Sequence, residues 1–163
     1  QTERVKVPAA ALQELIERSL GSDGQLRSRA SKAAGQLNDR QPSLAVTELM
    51  RILVDLHNFR WDEAWQITVA TLSYTNHTLL PEALETWPVE LFERLLPRHL
   101  EIIYRINVAH LALADARCPG DDDFHATVSL IAEPSGRRGR VGRLASAERP
   151  PTRGTCTGKP FSR

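Results

Sequence analysis

One histidine stands out in this chain because of the residues around it. His77 lies in the stretch YTNHTLLPEALETWP, residues 74–88, directly after Asn76. Tyr74 and Thr75 favour extended backbone, whereas Asn76 favours a turn. The pattern predicts that His77 lies where a strand ends and a loop begins, and functional side chains collect on such loops. The residues alone leave two interpretations open, a functional histidine or one that only occupies a bend.

The other four histidines show no spacing that favours chemistry. They are His57, His99, His110 and His125. His99 and His110 fall in one long helical pattern, 11 residues apart, far from the i, i+4 spacing of a helical metal pair. His57 and His125 lie near turns. All four are interpreted as packing or surface residues, and the sequence predicts no metal site.

Asp39 is a second candidate for a site. It follows a predicted strand, and ligand-binding loops of α/β sheets gather at the carboxyl ends of strands. Taken by itself, it fits better as a turn residue or a cap before Pro42. The chain has no nucleophile elbow, zinc-protease helix or phosphate-binding loop. Two acidic pairs are interpreted as charges at helix N-termini rather than as an acid–base pair: Asp62 with Glu63, and Glu82 with Glu85.

The composition is that of a soluble globular protein, with 41% hydrophobic and 25% charged residues. The 163 residues suffice for one domain or for part of a larger one. Of 21 basic and 20 acidic residues, eight basic and one acidic lie from residue 135 onward, which leaves 13 and 19 before it. The basic end is interpreted as a solvated, disordered tail, because it lacks the aromatic residues of a nucleic-acid surface apart from Phe161.

The two cysteines, Cys118 and Cys156, have no metal-binding spacing, and the sequence predicts no structural disulfide between them. A cytoplasmic location is therefore expected. No apolar run reaches the about 20 residues of a membrane helix, and no signal peptide is evident. The sequence begins with Gln1 rather than Met, so we expect a piece of something longer.

Hydrophobic periodicity predicts a helix-rich α/β chain, although the pattern also fits a wholly helical bundle. Predicted helices cover residues 9–20, 43–57 (with a buried stripe through Leu56), 61–72 and 81–87. The longest pattern runs from Pro88 to Ala116, with a kink or break at Pro97. A strand that runs into a loop is predicted in AAGQLNDRQP, another ends before His77, and a third lies in the GRRGRVGRLA stretch. Residues 118–123 predict a turn with an acidic cap.

Several stretches together resemble the α-glucan phosphorylases, the family of glycogen, starch and maltodextrin phosphorylases. The matching words are QLND, P-SLAVTELMRILVD, WDEAWQIT and YTNHTLLPEALETWPVELFERLLPRHLEIIYRIN, with weaker matches at PGDDD and VSLI. The resemblance covers residues 36–145. It divides the chain into a divergent helical segment (1–35), a phosphorylase-like partial domain (36–145) and a basic, Pro/Gly-rich disordered tail (146–163).

The resemblance implies an enzyme that cuts terminal α-1,4 bonds of a glucan with inorganic phosphate, releasing glucose 1-phosphate with retention of configuration. It implies two Rossmann-like domains in a type B glycosyltransferase fold, of which this chain is an internal slice of the first. The family's pyridoxal phosphate is bound to a lysine of the second domain, and full-length relatives are commonly homodimers. The implied partners are an α-1,4-glucan and phosphate, with no nucleic acid and no membrane.

Site residues carry over from the matching words. His77, with Asn76 beside it, is assigned to the glucosyl residue, where the family's histidine bonds the 6-hydroxyl. Asp39 matches an aspartate near the catalytic cleft. Tyr104 and Asn107 lie on a helix that borders a glycogen-storage site in some members, which supports the alternative of a non-catalytic helical interaction or weak glucan-binding module. Both residues fit ordinary buried or surface helix positions as well.

The chain departs from the family in three places. The family word LNDTHP is LNDRQP here, with Arg40 and Gln41 in place of threonine and histidine, which puts the surroundings of Asp39 in doubt. The word GHLA is GRLA, with Arg143. Unrelated basic sequence follows Ala145, as a frameshift would produce. None of the lysines, Lys6, Lys32 and Lys159, lies in the cofactor motif, so we expect no phosphorolysis by this chain alone.

Overall fold

A computed structural model describes residues 13–14, 35–38, 44–75, 86–132 and 138–140. The helices are α1 (Leu44–Arg51), α2 (Trp61–Thr71), α3 (Val89–Leu95), α4 (Pro97–Arg117) and α5 (Asp122–Val128), and a π-helical segment, Ile52–Leu56, follows α1 directly. The strands are β1 (Gly35–Asn38), β2 (Leu72–Thr75), β3 (Thr86–Pro88), β4 (Ile131–Ala132) and β5 (Arg138–Arg140). None of the described helices is long and apolar enough to cross a bilayer.

Strands β1 and β2 form a parallel pair, with Gly35 opposite Leu72 and Asn38 opposite Thr75. Parallel neighbours need a long crossover, and here the intervening chain contains α1, the π-helical segment and α2. Strand–helix–strand order with parallel pairing is the unit of α/β architecture. The helix-rich α/β prediction is confirmed, and the wholly helical alternative is wrong.

The other three strands form an antiparallel sheet in the order β3-β5-β4. At its centre, Gly139 pairs with both Trp87 and Ile131. A Cβ on Gly139 would lie 3.3 Å from Cε2 of Phe92, so glycine allows the ring to pack closely on β5. The Phe92 and Trp87 ring centroids are 5.4 Å apart. The strand predicted in the GRRGRVGRLA stretch is confirmed at β5.

The predicted helix over residues 81–87 is wrong at its end, because Thr86 and Trp87 lie in β3. Two local effects favour the strand. Threonine and tryptophan have high β propensity, and the residue before a proline is disfavoured in the α region, which affects Trp87 before Pro88. The start of that predicted helix lies outside the described residues.

The hydrophobic core lies between α1 and the elements around it. Residues 44–50 of α1 are all buried, and Ile102, Ile103 and Ile106 of α4 pack in the same cluster. Trp61, Trp65 and Leu72 contribute as predicted, the two tryptophans from its edge. The other members include Val89 and Phe92 of α3, and Leu130 and Ile131 near β4.

Leu56 does not belong to the buried stripe that the sequence predicts for the helix at residues 43–57, because it is 51% exposed. The sequence predicts one continuous α-helix to His57, whereas the last turn is π-helical, with the His57 N–H donating to the Ile52 carbonyl. A π-helical turn holds more residues than an α-helical turn, which shifts the positions that face the core. Ile52 and Leu53 remain fully buried, and Leu56 turns to solvent.

The predicted helix break at Pro97 and the predicted turn at residues 118–123 are both confirmed. Leu96 leaves helical geometry at φ −143° and ψ 54°, so Pro97 ends α3 and opens α4, where its missing N–H costs nothing. The acidic cap of the 118–123 turn is Asp121, whose Oδ1 accepts a 2.9 Å hydrogen bond from the Phe124 N–H at the start of α5. Gly120 precedes it at φ +72°, a conformation that favours glycine.

Cys118 is buried at the end of α4 and is disulfide-bonded. The prediction of no structural disulfide is therefore wrong at this residue. Its partner lies outside the described residues. The tail from residue 146 and most of the predicted helix at residues 9–20 lie outside them too, although Gln13 and Glu14 are helical and exposed.

Candidate glucosyl-binding edge and the buried charges behind it

The carboxyl ends of β1 and β2 meet at the same edge of the parallel pair. Asn38 is the last residue of β1, and it lies opposite Thr75, the last residue of β2. Asp39 follows Asn38 directly in the chain, and Asn76 and His77 follow Thr75. These three predicted site residues lie outside the described residues. The strands that lead to them are nevertheless paired end to end, and ligands of open α/β sheets bind at this edge.

Helix α2 leads into β2 without a loop. The Leu72 N–H donates to the Thr68 carbonyl, and Leu72 already has extended backbone at φ −105° and ψ 128°. Thr68 is buried, and its hydroxyl donates a 2.8 Å hydrogen bond to the Ala64 carbonyl. Because Leu72 is also buried, the first residue of β2 is held by the core. The position of the strand's carboxyl end follows from that anchor.

Asn107 and Tyr104, predicted for a glucan surface site, have structural contacts on α4. Asn107 is 7% exposed, and its Oδ1 accepts a 2.7 Å hydrogen bond from the Leu130 N–H. The Ser129 hydroxyl lies 3.4 Å from the same oxygen. Tyr104 is half-buried and packs against the core. The amide of Asn107 thus fixes the turn between α5 and β4, and a glucan contact by either residue stays a prediction.

The described residues contain a buried group of charges that sequence analysis missed. Glu48 of α1 is 4% exposed, and its two carboxylate oxygens accept hydrogen bonds of 2.8 Å from Nε and Nη2 of Arg51. His99 of α4 is 5% exposed, and its Nε2 lies 2.8 Å from Glu48 Oε2. We call Glu48, Arg51 and His99 the buried triad, in which the Arg51 side chain is 28% exposed and the other two are buried. It joins α1 to α4 inside the core.

The charge state of the buried triad follows from its contacts. Burial alone would raise the pKa of Glu48, but the hydrogen bonds from Arg51 and the close approach of His99 outweigh it and lower the pKa to about 2. The hydrogen bond to Glu48 raises the pKa of Arg51 above its ordinary value. Glu48 is therefore ionised at neutral pH and balanced by Arg51. The arrangement suits helix anchoring, because every carboxylate oxygen is already bonded.

A second, exposed group of charges links the π-helical segment to α4. Arg98 of α4 donates to both carboxylate oxygens of Asp55 at 2.6 and 2.9 Å, and it also lies 2.6 Å from Glu101. The bond to Arg98 lowers the pKa of Asp55. The fork geometry of the guanidinium fits a bidentate carboxylate.

The interpretation of His99 and His110 as packing residues is confirmed, since both are buried.

The family model for carbohydrate phosphorylases matches residues 5–155. The chain belongs to the carbohydrate phosphorylase family. Among curated relatives, it is 50% identical to the muscle form of glycogen phosphorylase from Mus musculus over 149 residues, covering 86% of this chain and 18% of the relative. It is 53% identical to the brain form from Bos taurus over 135 residues, covering 78% and 16%. This phosphorylase-family chain thus spans under a fifth of the length of these relatives.

The phosphorylase-like words map onto consecutive described elements. QLN ends β1, and LAVTELMRILVD spans α1 and most of the π-helical segment. WDEAWQIT lies in α2, and LFERLLPRHLEIIYRIN runs through α3 into α4. No cluster of three potential metal ligands among His, Cys, Asp and Glu occurs in these described segments. The words that carry the family resemblance therefore build the parallel pair, its crossover helices and the helix α4 that packs on α1.

Proposed function

We propose that this chain is part of the glucosyl-binding domain of an α-1,4-glucan phosphorylase, an enzyme that releases glucose 1-phosphate from glucan ends with inorganic phosphate. The observation that supports the proposal is the pairing of Asn38 with Thr75, the last described residues before Asp39 and before Asn76 and His77 in the chain. Membership of the phosphorylase family supports the choice of substrate.

The role proposed for His77 is to hold the sugar rather than to transfer a proton. A neutral imidazole donates from one nitrogen and accepts at the other, which suits a hydroxyl group. Contacts to hydroxyls remote from the breaking bond accelerate a reaction when they strengthen in the transition state. Asn76 and Asp39 are proposed to offer further amide and carboxylate groups to the same sugar.

The parallel pair is proposed to belong to a larger Rossmann-like sheet in a type B glycosyltransferase fold. Parallel sheets are normally covered by helices and contain more strands than the two described here. The α1, π-helical and α2 crossover fits one repeat of such a sheet. A homodimeric full-length enzyme remains an expectation from the family resemblance. The expected cytoplasmic location is based on the absence of a structural disulfide, and the disulfide at Cys118 removes that support.

The described residues do not fit covalent attachment of pyridoxal phosphate. A Schiff base needs a lysine amine, and the described part of the chain contains no lysine. Lys6, Lys32 and Lys159 lie outside it, and none is in a phosphorylase cofactor motif. We therefore assign no catalytic step to this chain and propose that it does not catalyse phosphorolysis alone.

An assay of the purified chain tests the proposed lack of catalysis. Maltoheptaose, phosphate and added pyridoxal phosphate are incubated with the chain, and glucose 1-phosphate is measured. The expected result is no release above a protein-free control. Release of glucose 1-phosphate that is lost in His77→Ala and kept in His57→Ala would show that this chain is a working enzyme. That result would contradict the proposal that it does not catalyse phosphorolysis alone.

A further inference from the structure

We draw no further inference here: the strongest candidate, the shallow apolar groove between α2 and α4 lined by Trp61, Trp65, Ile106, Ala109, His110 and Leu113, carries no proposal because nothing in the described part of the chain shows what covers it.

Discussion

His99 Nε2 lies 2.8 Å from Glu48 Oε2, and both side chains are buried although 51 residues separate them in the chain. The contact joins α4 to α1, the first helix after the strand that leads to Asp39. Arg51 neutralises the same carboxylate from one turn further along. Burying the Glu48 carboxylate costs desolvation that Arg51 offsets, so removing either of the two leaves the other without its charged partner.

Replacing Glu48 should therefore destabilise the chain strongly. In Glu48→Ala, the part-buried Arg51 loses its carboxylate partner and the buried His99 loses its polar neighbour, and we expect a loss of about 1–3 kcal/mol in the free energy of unfolding. The matched control is Glu101→Ala, since Glu101 also pairs with an arginine but its side chain is 69% exposed. A change of about 0–1 kcal/mol is expected there. Urea unfolding measures both, and equal losses would contradict the anchoring role.

The buried triad should also make stability depend on pH in the acid range. The pKa of Glu48 is lowered from 4.5 to about 2 in the folded chain, so its stabilisation is fully present above pH 4.5. It is lost as the pH falls from 4.5 toward 2, because the unfolded chain takes up the proton first. Urea midpoints between pH 6 and 3 should fall less steeply in Glu48→Gln than in the unsubstituted chain. An unchanged slope would show that Glu48 is not held ionised.

Asn107→Ala tests the structural role of this amide. The substitution leaves the buried Leu130 N–H without its 2.7 Å acceptor, and we expect a loss of about 1–3 kcal/mol. Asn107→Asp keeps an acceptor oxygen for the Leu130 N–H but buries a carboxylate, so its stability includes a separate desolvation cost. Amide hydrogen exchange at Leu130 should accelerate in the alanine variant. If the Asn107→Ala chain is equally stable and exchange at Leu130 is unchanged, the structural role of Asn107 is contradicted. The residue would then be available for the glucan surface site that the sequence predicts.

Gly139→Ala should crowd the Phe92 ring. The added Cβ lies 3.3 Å from Cε2, so either the ring or β5 must shift, and overpacking of this kind costs about 1–3 kcal/mol. The cost of Gly139→Ala should shrink when Phe92 is already Leu, because the aromatic edge is gone. A double-mutant cycle measures that coupling. Additive effects would show that the two residues do not touch.

Local chemistry made part of this fold predictable from sequence. Pro97 cannot continue a helix in the preceding turn, and Asp121 offers a cap acceptor, so both breaks follow from residue type alone. The extended backbone of Tyr74 and Thr75 followed from residue type in the same way. These features depend on neighbours in the chain.

The features that the sequence could not predict depend on contacts between residues far apart in the chain, or on a small local change in the number of residues per helical turn. The pairing of Glu48 with His99 requires knowledge of which helices meet, and no local pattern contains it. The exposure of Leu56 arises from one π-helical turn, whereas the apolar spacing predicted an ordinary helix. At the site, Asp39 and His77 were named through their family words, and the structure adds the register that brings their strand ends together.

Binding of maltoheptaose to this chain tests the central claim most directly. Saturation-transfer NMR on the sugar would compare the unsubstituted chain with His77→Ala and with His57→Ala, a matched histidine in the turn before α2. The account predicts a signal at the terminal glucosyl residue that falls at least several-fold in His77→Ala and is unchanged in His57→Ala. Equal signals from the folded chain and both variants, or no binding by a chain that is folded, would contradict a glucosyl site at the paired strand ends.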